Sequence, residues 1–331
     1  MPTCWKRCWR NAGRGTVSSR DGKLLKIRTK AYCQRRNLRC HFLLGIAGSR
    51  AITSSGRMTM ARGANGARNS RFRQEEYTQQ KYGADMTTRT DDTTYGFNST
   101  AGRNVFDFDI NHYPALTIRN ADGEDTLDFS GFGGGSVIDL RDGHFSSGGI
   151  AAPDADTVNA NRAAYGEQIG VDISPTSQAS IDAVSASFQN ANATSIANDW
   201  GVTGIAALNY NNISIAYGAD IENAIGTAFA DVIVTSGLNN TLTGNAGADT
   251  FVFLSDENRF FGEFDQGGTD TITDFEARID RIDLSNLGID ADSRFVVDGN
   301  FFGVDIDGDG VVDQGIVFEN LDYVPFADIF A

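Results

Sequence analysis

The sequence predicts an all-β chain: a parallel β-roll with capping antiparallel strands, a short helical insert and a disordered N-terminal arm. Three observations lead there. Residues 226–252 divide without a gap into three blocks of nine, GTAFADVIV, TSGLNNTLT and GNAGADTFV. The composition is turn-rich, with 37 glycines against 5 prolines. Charge also splits the chain: residues 1–73 hold 18 of the 28 Lys and Arg but one of the 43 acids, so a stretch of formal charge +17 precedes one of −32.

The nine-residue period has a mechanical reason. Asp231, Asn240 and Asp249 recur nine apart, as do Ile233, Leu242 and Phe251, and Gly226 and Gly244 open the first and third blocks. Such a glycine- and aspartate-rich period marks a parallel β-roll that binds calcium. The first six residues of a block make a turn, where glycine permits positive φ. The last three make a short strand whose middle residue points inward. Two blocks complete one coil, so blocks one and three share a side. Asp231 and Asp249 then face one calcium ion, and turn carbonyls, with Gly226, Gly244 and Gly247 in the ligand set, fill its roughly six to eight oxygen positions. The repeat is worn: Phe229, Asn239 and Asn245 stand where glycine is expected. A non-glycine in a left-handed turn costs about 1–2 kcal/mol, so the middle block reads as a turn without metal. The plainer alternative is a solvated Gly/Asn/Asp loop.

At 331 residues the chain has room for two domains or one elongated one. The acidic part repels nucleic acid and anionic membranes and suits a divalent cation. All four cysteines lie at 4, 8, 33 and 40. The remainder therefore folds without disulfides, and metal can supply the missing cross-links. No apolar run reaches the ~18 residues of a membrane span, and the patch at 42–47 lies too far in for an ordinary signal peptide. Residues 1–75 leave three readings open. They are a basic disordered or targeting arm, a zinc site from Cys4, Cys8, Cys33, Cys40 and His41 with poorly matching spacings, or an out-of-frame stretch. The abrupt charge inversion favours the last.

From residue 76 the text changes character. KYGAD at 81–85 runs on to Asn98 through TTRTDDTTYGF. DGEDTLDFSG follows at 122–131, IENAIG at 221–226, then the nonapeptides, DTITDF at 270–275 and DRIDLS at 280–285. In this order these strings resemble the C-terminal domain of the serralysin family, secreted bacterial zinc metalloproteases whose C-terminal half is a calcium-binding β-roll read by a type I secretion apparatus. The resemblance covers roughly 76–331 apart from an insert at 151–206.

In that family a catalytic domain with H-E-x-x-H-x-x-G-x-x-H precedes the KYGAD-like string. Here His41, His112 and His144 begin HFLLG, HYPAL and HFSSG. None has the i, i+4 imidazole partner or the adjacent glutamate base that zinc proteolysis needs. Zinc is therefore not expected, nor any catalytic residue. A damaged upstream frame explains both the missing motif and the basic stretch; upstream DNA without an H-E-x-x-H string in any frame would sink that idea.

The resemblance implies further calcium ligands. Arg89, Asp91 and Thr93 lie where the family supplies oxygens from one loop, and Asn120, Asp122, Gly123 and Asp125 where it supplies them from the partner loop. Asn120 and Asp122 depart from the usual Asp and Gly, which lowers that site's ligand count. The alternative is a pair of polar turns flanking a strand near Thr126–Phe129. Asp220 and Glu222 match oxygen donors at the start of the roll. Near the end, Asp305-Ile-Asp307-Gly-Asp309-Gly-Val-Val-Asp313 matches the opening of an EF-type loop, but position twelve is Ile316 rather than glutamate. This weaker calcium candidate competes with a hairpin turn between 301–305 and 312–318. The last residues, Ala327-Asp-Ile-Phe-Ala331, resemble the family's secretion signal, here bounded at 325–331.

Within the insert, Ser177 caps a helix with Ile181, Val184 and Phe188 at i, i+3, i+7, and Trp200 buries it against the sheet. Arg278 and Arg281, set among acids, are expected to form surface ion pairs. The leading expectation is a secreted, extracellular calcium-binding module whose partners are calcium ions and the secretion apparatus. A zinc metalloendopeptidase of which this is a fragment is the enzyme alternative. An adhesive surface protein with the insert as its contact, its partner unspecified, is the third.

Overall fold

Asp-x-apolar triplets build the roll. The computed structural model describes residues 77–79, 81–83, 85–150, 152–254 and 268–329, together with the backbone of three strands nearer the N-terminus. Those strands, β1 (Gly15–Ser18), β2 (Leu24–Cys33) and β3 (Cys40–Ile46), form an antiparallel sheet in a unit of their own. The other residues of 1–76, and with them the expected disordered arm and the cysteine side chains, lie outside the described residues.

In the second unit, triplets such as Asp125-Thr-Leu127, Asp231-Val-Ile233 and Asp249-Thr-Phe251 each place a turn carboxylate two residues before an inward apolar side chain. The strands so begun alternate between two parallel sheets. One holds β4 (Thr94–Gly96), β6 (Thr126–Asp128), β10 (Asn223–Ile225), β12 (Thr241–Thr243) and β14 (Thr269–Ile272). The other holds β7 (Val137–Asp139), β11 (Val232–Val234), β13 (Thr250–Leu254) and β15 (Arg281–Asn286). Ala224 pairs with Leu242 and Ile233 with Phe251, so residues 18 apart stack and two nonapeptides make one coil, as expected. Tyr95, Leu127, Leu242 and Ile272 from one sheet meet Ile138, Ile233, Phe251 and Ile282 from the other in a continuous core.

The open ends are closed differently. At one end Phe97, Phe108, Phe129 and Phe132 pack edge-on and stacked. A small sheet of β5 (Leu116–Ile118), β8 (Phe145–Ser146) and β9 (Ile213–Ile215) adjoins the same core. At the other end β14 pairs with β18 (Gln314–Phe318), which continues antiparallel into β17 (Phe301–Asp305) and β16 (Arg294–Asp298). These are the expected capping strands, and Phe302 and Phe318 are buried there. Ile329 bridges to Ile282 beside β15.

The insert is more helical than the sequence indicates. α1 (Ala155–Ile169), capped by Asp154 and ended by Gly170 at φ 68°, precedes α2 (Gln178–Trp200), ended by Gly201 at φ 68°. Ser177 caps α2 as expected, its hydroxyl accepting from the Ser180 N–H. The apolar stripe does not dock, however: Val184 and Phe188 are 56% and 58% exposed. The outward valines of the second sheet, Val137, Val232, Val234 and Val252, are covered by Ile196 and Trp200 near the helix's C-terminus, with Ile205 and Ala207. Trp200 also lies over the Arg141 guanidinium, which pairs with Asp139 at 2.7 Å. Among the described residues Arg278 and Arg281 form no ion pair; Arg278 instead adopts φ 70°, and its N–H donates to the Asp328 carboxylate.

Candidate metal centre

Stacked coils bring the turn carboxylates into two ladders. Along one edge the Ser136 N–H donates to Asp231 Oδ1 (2.6 Å), the Asp231 N–H to Asp249 Oδ1 (2.8 Å), and the Asp249 N–H to Asp280 Oδ1 (3.0 Å). Along the other edge the Thr93 N–H donates to Asp125 Oδ1 (2.8 Å), the Asp125 N–H to Glu222 Oε2 (2.7 Å), and the Asn240 N–H to Asp270 Oδ1 (2.7 Å). In-register parallel pairing causes this, because each triplet's acid then lies over the amide of a neighbouring coil. Asp231, Asp249, Asp270, Asp125 and Asp280 are all buried. Removal from water dominates their ionisation, raising Asp231, Asp270 and Asp125 to about 7, Asp280 to about 6 and Asp249 to about 8. For Asp249 the neighbouring charges of Asp231, Asp280 and Asp274 add to the rise. Glu222 rises chiefly by burial, with a smaller push from exposed Asp220.

The rungs differ in what their oxygens touch. Both Asp231 oxygens are taken, by the Ser136 N–H, by the Thr227 N–H (2.6 Å) and by the Thr227 hydroxyl. Asp249 is 1% exposed, and its Oδ2 has no hydrogen-bond partner. Gly244 makes room for it, since a Cβ there would stand 2.4 Å from that oxygen. A buried carboxylate oxygen without a donor, in a ladder of like charges, fits a hard cation with oxygen ligands. In the middle block Asn240 presents an amide instead, which donates to the Glu222 carbonyl at 3.1 Å. Of the three residues that replace glycine, only Asn245 has positive φ (65°), a conformation asparagine tolerates, and its amide donates to the Gly226 carbonyl at 2.8 Å. Phe229 and Asn239 therefore carry no left-handed strain, contrary to expectation. Gly247 (φ 149°) passes against the Phe229 carbonyl, where a Cβ would come within 2.6 Å.

The two loops read from 89–93 and 120–125 do meet. The Ala121 N–H donates to the Arg89 carbonyl at 3.2 Å, and the Glu124 N–H to the Asp92 carboxylate at 3.0 Å. A Cβ on Gly123 (φ 111°) would stand 2.8 Å from the Asp91 carbonyl carbon. Thr93 donates its hydroxyl to the Asp91 carbonyl, and the Asp122 N–H caps Asn120. The Arg89 side chain is used otherwise, over the Phe106 ring and donating to Tyr95 and the Arg119 carbonyl. Thr93, Asn120 and Asp125 are buried while Asp91 and Asp122 are exposed.

The EF-type stretch is a β17–β18 hairpin and an acidic cluster at once. One carboxylate oxygen each from Asp305, Asp307 and Asp313 lies within 4.8 Å of the others. Gly308 and Gly310, at φ 74° and 93°, turn the backbone so that their N–H groups donate to Asp305. Asp309 is not in the cluster; it accepts from the Val311 N–H. Asp270, Asp274 and Asp280 were not among the expected ligands. Asp270 and Asp280 begin the same Asp-x-apolar triplet as the nonapeptides but lie outside the nine-residue period, which hid them. Asp274 accepts from the Gly244 and Asn245 N–H groups in the turn before Asp249.

Known proteins share this part of the chain. The profile of the family described as Peptidase M10 serralysin C terminal matches residues 84–161 and 185–307. The break at 162–184 falls inside the helical insert. Serralysin G of Dickeya chrysanthemi is 31% identical over 244 residues, covering 68% of this chain and 38% of its own. The serralysin of Photorhabdus sp. (strain Az29) is 49% identical over 72 residues, covering 22% of this chain and 15% of its own. The serralysin of Proteus mirabilis is 46% identical over 69 residues, 20% of this chain and 14% of its own. The chain thus spans well under half the length of the curated relatives it matches. A profile match over more than half the chain, on a parallel roll of stacked Asp-x-apolar coils, places this protein in the Peptidase M10 serralysin C-terminal family.

Proposed function

We propose that this chain is a calcium-binding β-roll module, exported by a type I secretion apparatus and folded by calcium outside the cell, without a zinc protease site of its own. The observation that carries the reading is the buried, unpartnered Asp249 Oδ2 within a ladder of carboxylates. Buried carboxylates in such a stack are held near neutral only by protons or by a cation. The residue that would hold calcium on the roll is Asp249, through its open Oδ2, with the turn carbonyls of Gly244 and Gly247; Asp231, whose oxygens Ser136 and Thr227 already occupy, adds negative charge beside it. A second group is the 89–93 and 120–125 loops with Asp220 and Glu222, and a third is Asp305, Asp307 and Asp313. Calcium supplies positive charge and oxygen cross-links between turns; the chain supplies the oxygens and the glycines that let them approach.

In calcium-poor cytoplasm the carboxylates repel and the acidic chain stays loose enough to thread a channel. Outside, ligand binding and folding share one free energy, so weak sites suffice when several act together. Residues 325–331 are the part the export machinery reads. Sequence similarity to the serralysins supports a second reading, in which this module serves as a portion of a secreted zinc metalloendopeptidase; an H-E-x-x-H domain in the upstream coding sequence would decide for it.

Isothermal titration of calcium into chelator-stripped protein tests the assignment. Asp249→Asn should lower the affinity or the number of calcium ions bound, and Asp305→Asn with Asp313→Asn should remove a separate binding event. Calcium uptake identical in wild type and both variants would refute the ligand assignment.

A further inference from the structure

Among the described residues one capping strand has a bare edge. β16 ends the eight-stranded sheet, and among the described residues it pairs on one side only, with β17. All five of its residues, Arg294-Phe-Val-Val-Asp298, are exposed, Val296 by 43%. An edge strand presents unpaired N–H and C=O groups and is a template for another strand. Proteins usually blunt such edges with charged side chains, bulges or proline, or cover them. Here the centre is apolar and the charges stand at the two ends, with opposite sign.

That pattern is self-complementary. If a second β16 lies antiparallel with Val296 on a twofold axis, Arg294 falls opposite the partner's Asp298 and Asp298 opposite the partner's Arg294. Phe295 falls opposite the partner's Val297, and Val296 opposite its own copy. Cross-strand pairs of opposite charge and of apolar side chains are the stabilising unit of a sheet, and a twofold contact uses the same patch on both copies. A parallel arrangement would instead set Arg294 beside Arg294. Among the described residues neither Arg294 nor Asp298 has an ion-pair partner within its own chain. We propose that β16 is a homodimerisation edge, joining two copies of this chain antiparallel through Arg294–Asp298 pairs.

Sedimentation equilibrium of the full chain in calcium-containing buffer tests this. A reversible monomer–dimer equilibrium is expected. Arg294→Asp and Asp298→Arg should each raise the dimer dissociation constant by about tenfold or more, because two attractive pairs become two repulsive ones. The double variant Arg294→Asp/Asp298→Arg should recover the wild-type constant, since the pairs are re-formed with their signs exchanged. Val296→Lys should give monomer, as two ammonium groups would meet on the axis. These side chains are exposed, so circular dichroism in calcium should be unchanged in every variant. A chain that stays monomeric at all concentrations would overturn the proposal and leave the end charges as guards of the edge. So would a dimer indifferent to the single reversals, or one that the double reversal fails to restore.

Discussion

Gly244 and Asp249 depend on each other at the distance of a single methyl group. The Asp249 carboxylate occupies the space a Cβ at 244 would need, 2.4 Å away. Gly244→Ala should therefore destabilise the calcium-loaded roll by roughly 1–3 kcal/mol, in the range of buried steric and polar lesions, as read by urea denaturation in calcium. An unchanged midpoint would mean that the turn relaxes freely and the cradle is not built. The nine-residue spacing made Asp231 and Asp249 legible in the sequence because period and acid coincide there. It did not reveal that the two differ. Thr227 sits four residues before Asp231 and donates its N–H and hydroxyl to that carboxylate, and only backbone geometry shows that it saturates one rung while leaving the other open. Asp270 and Asp280 were written in the same triplet code but spaced out of period by a segment between β13 and β14.

At the scale of elements, the strands were legible and the helices half so. β10 to β13 announce themselves because Ala224, Ile233, Leu242 and Phe251, one from each, point inward nine residues apart. α1 has no apolar face to read; of its residues only Gly166 is buried, and it has no side chain. α2 carries its apparent stripe in the wrong half, since the sheet needs cover only where its outward valines lie. Ile196, fully buried, is the anchor. Ile196→Ala should cost about 2–4 kcal/mol, the range for buried large-to-small changes, and the loss should be local. Amide exchange should accelerate across 178–200 while β11 to β13 keep their protection. Loss of protection throughout the roll would instead make the insert part of the folding core. The hairpin at 301–318 was legible both as turn and as acidic loop, and both descriptions hold because Asp-Gly steps that bend the chain also gather its carboxylates.

For the whole molecule the dominant quantity is buried negative charge. The folded-state pKa values of Asp125, Asp231, Asp249, Asp270 and Asp280, at about 6 to 8, lie above the ordinary aspartate value. A group raised on folding contributes stability that is full below its unfolded pKa, near 4, and lost as pH climbs through the folded value. In chelator, the far-UV β signal should grow as pH falls from about 8 to about 5. Saturating calcium should flatten that dependence, because the cation does at neutral pH what protons do in acid. A β signal that falls over the same interval in chelator would show that the carboxylates are stabilised as anions by the fold alone.

The central claim is that calcium completes the roll. Its most direct test is a calcium titration of the chelator-stripped chain by far-UV circular dichroism, with magnesium in parallel. A cooperative gain of β signal is expected at sub-millimolar to millimolar calcium, and none with magnesium. A chain whose β signal is already complete in chelator and indifferent to calcium would contradict it, leaving an acidic β scaffold whose buried carboxylates are held by protons and backbone amides alone.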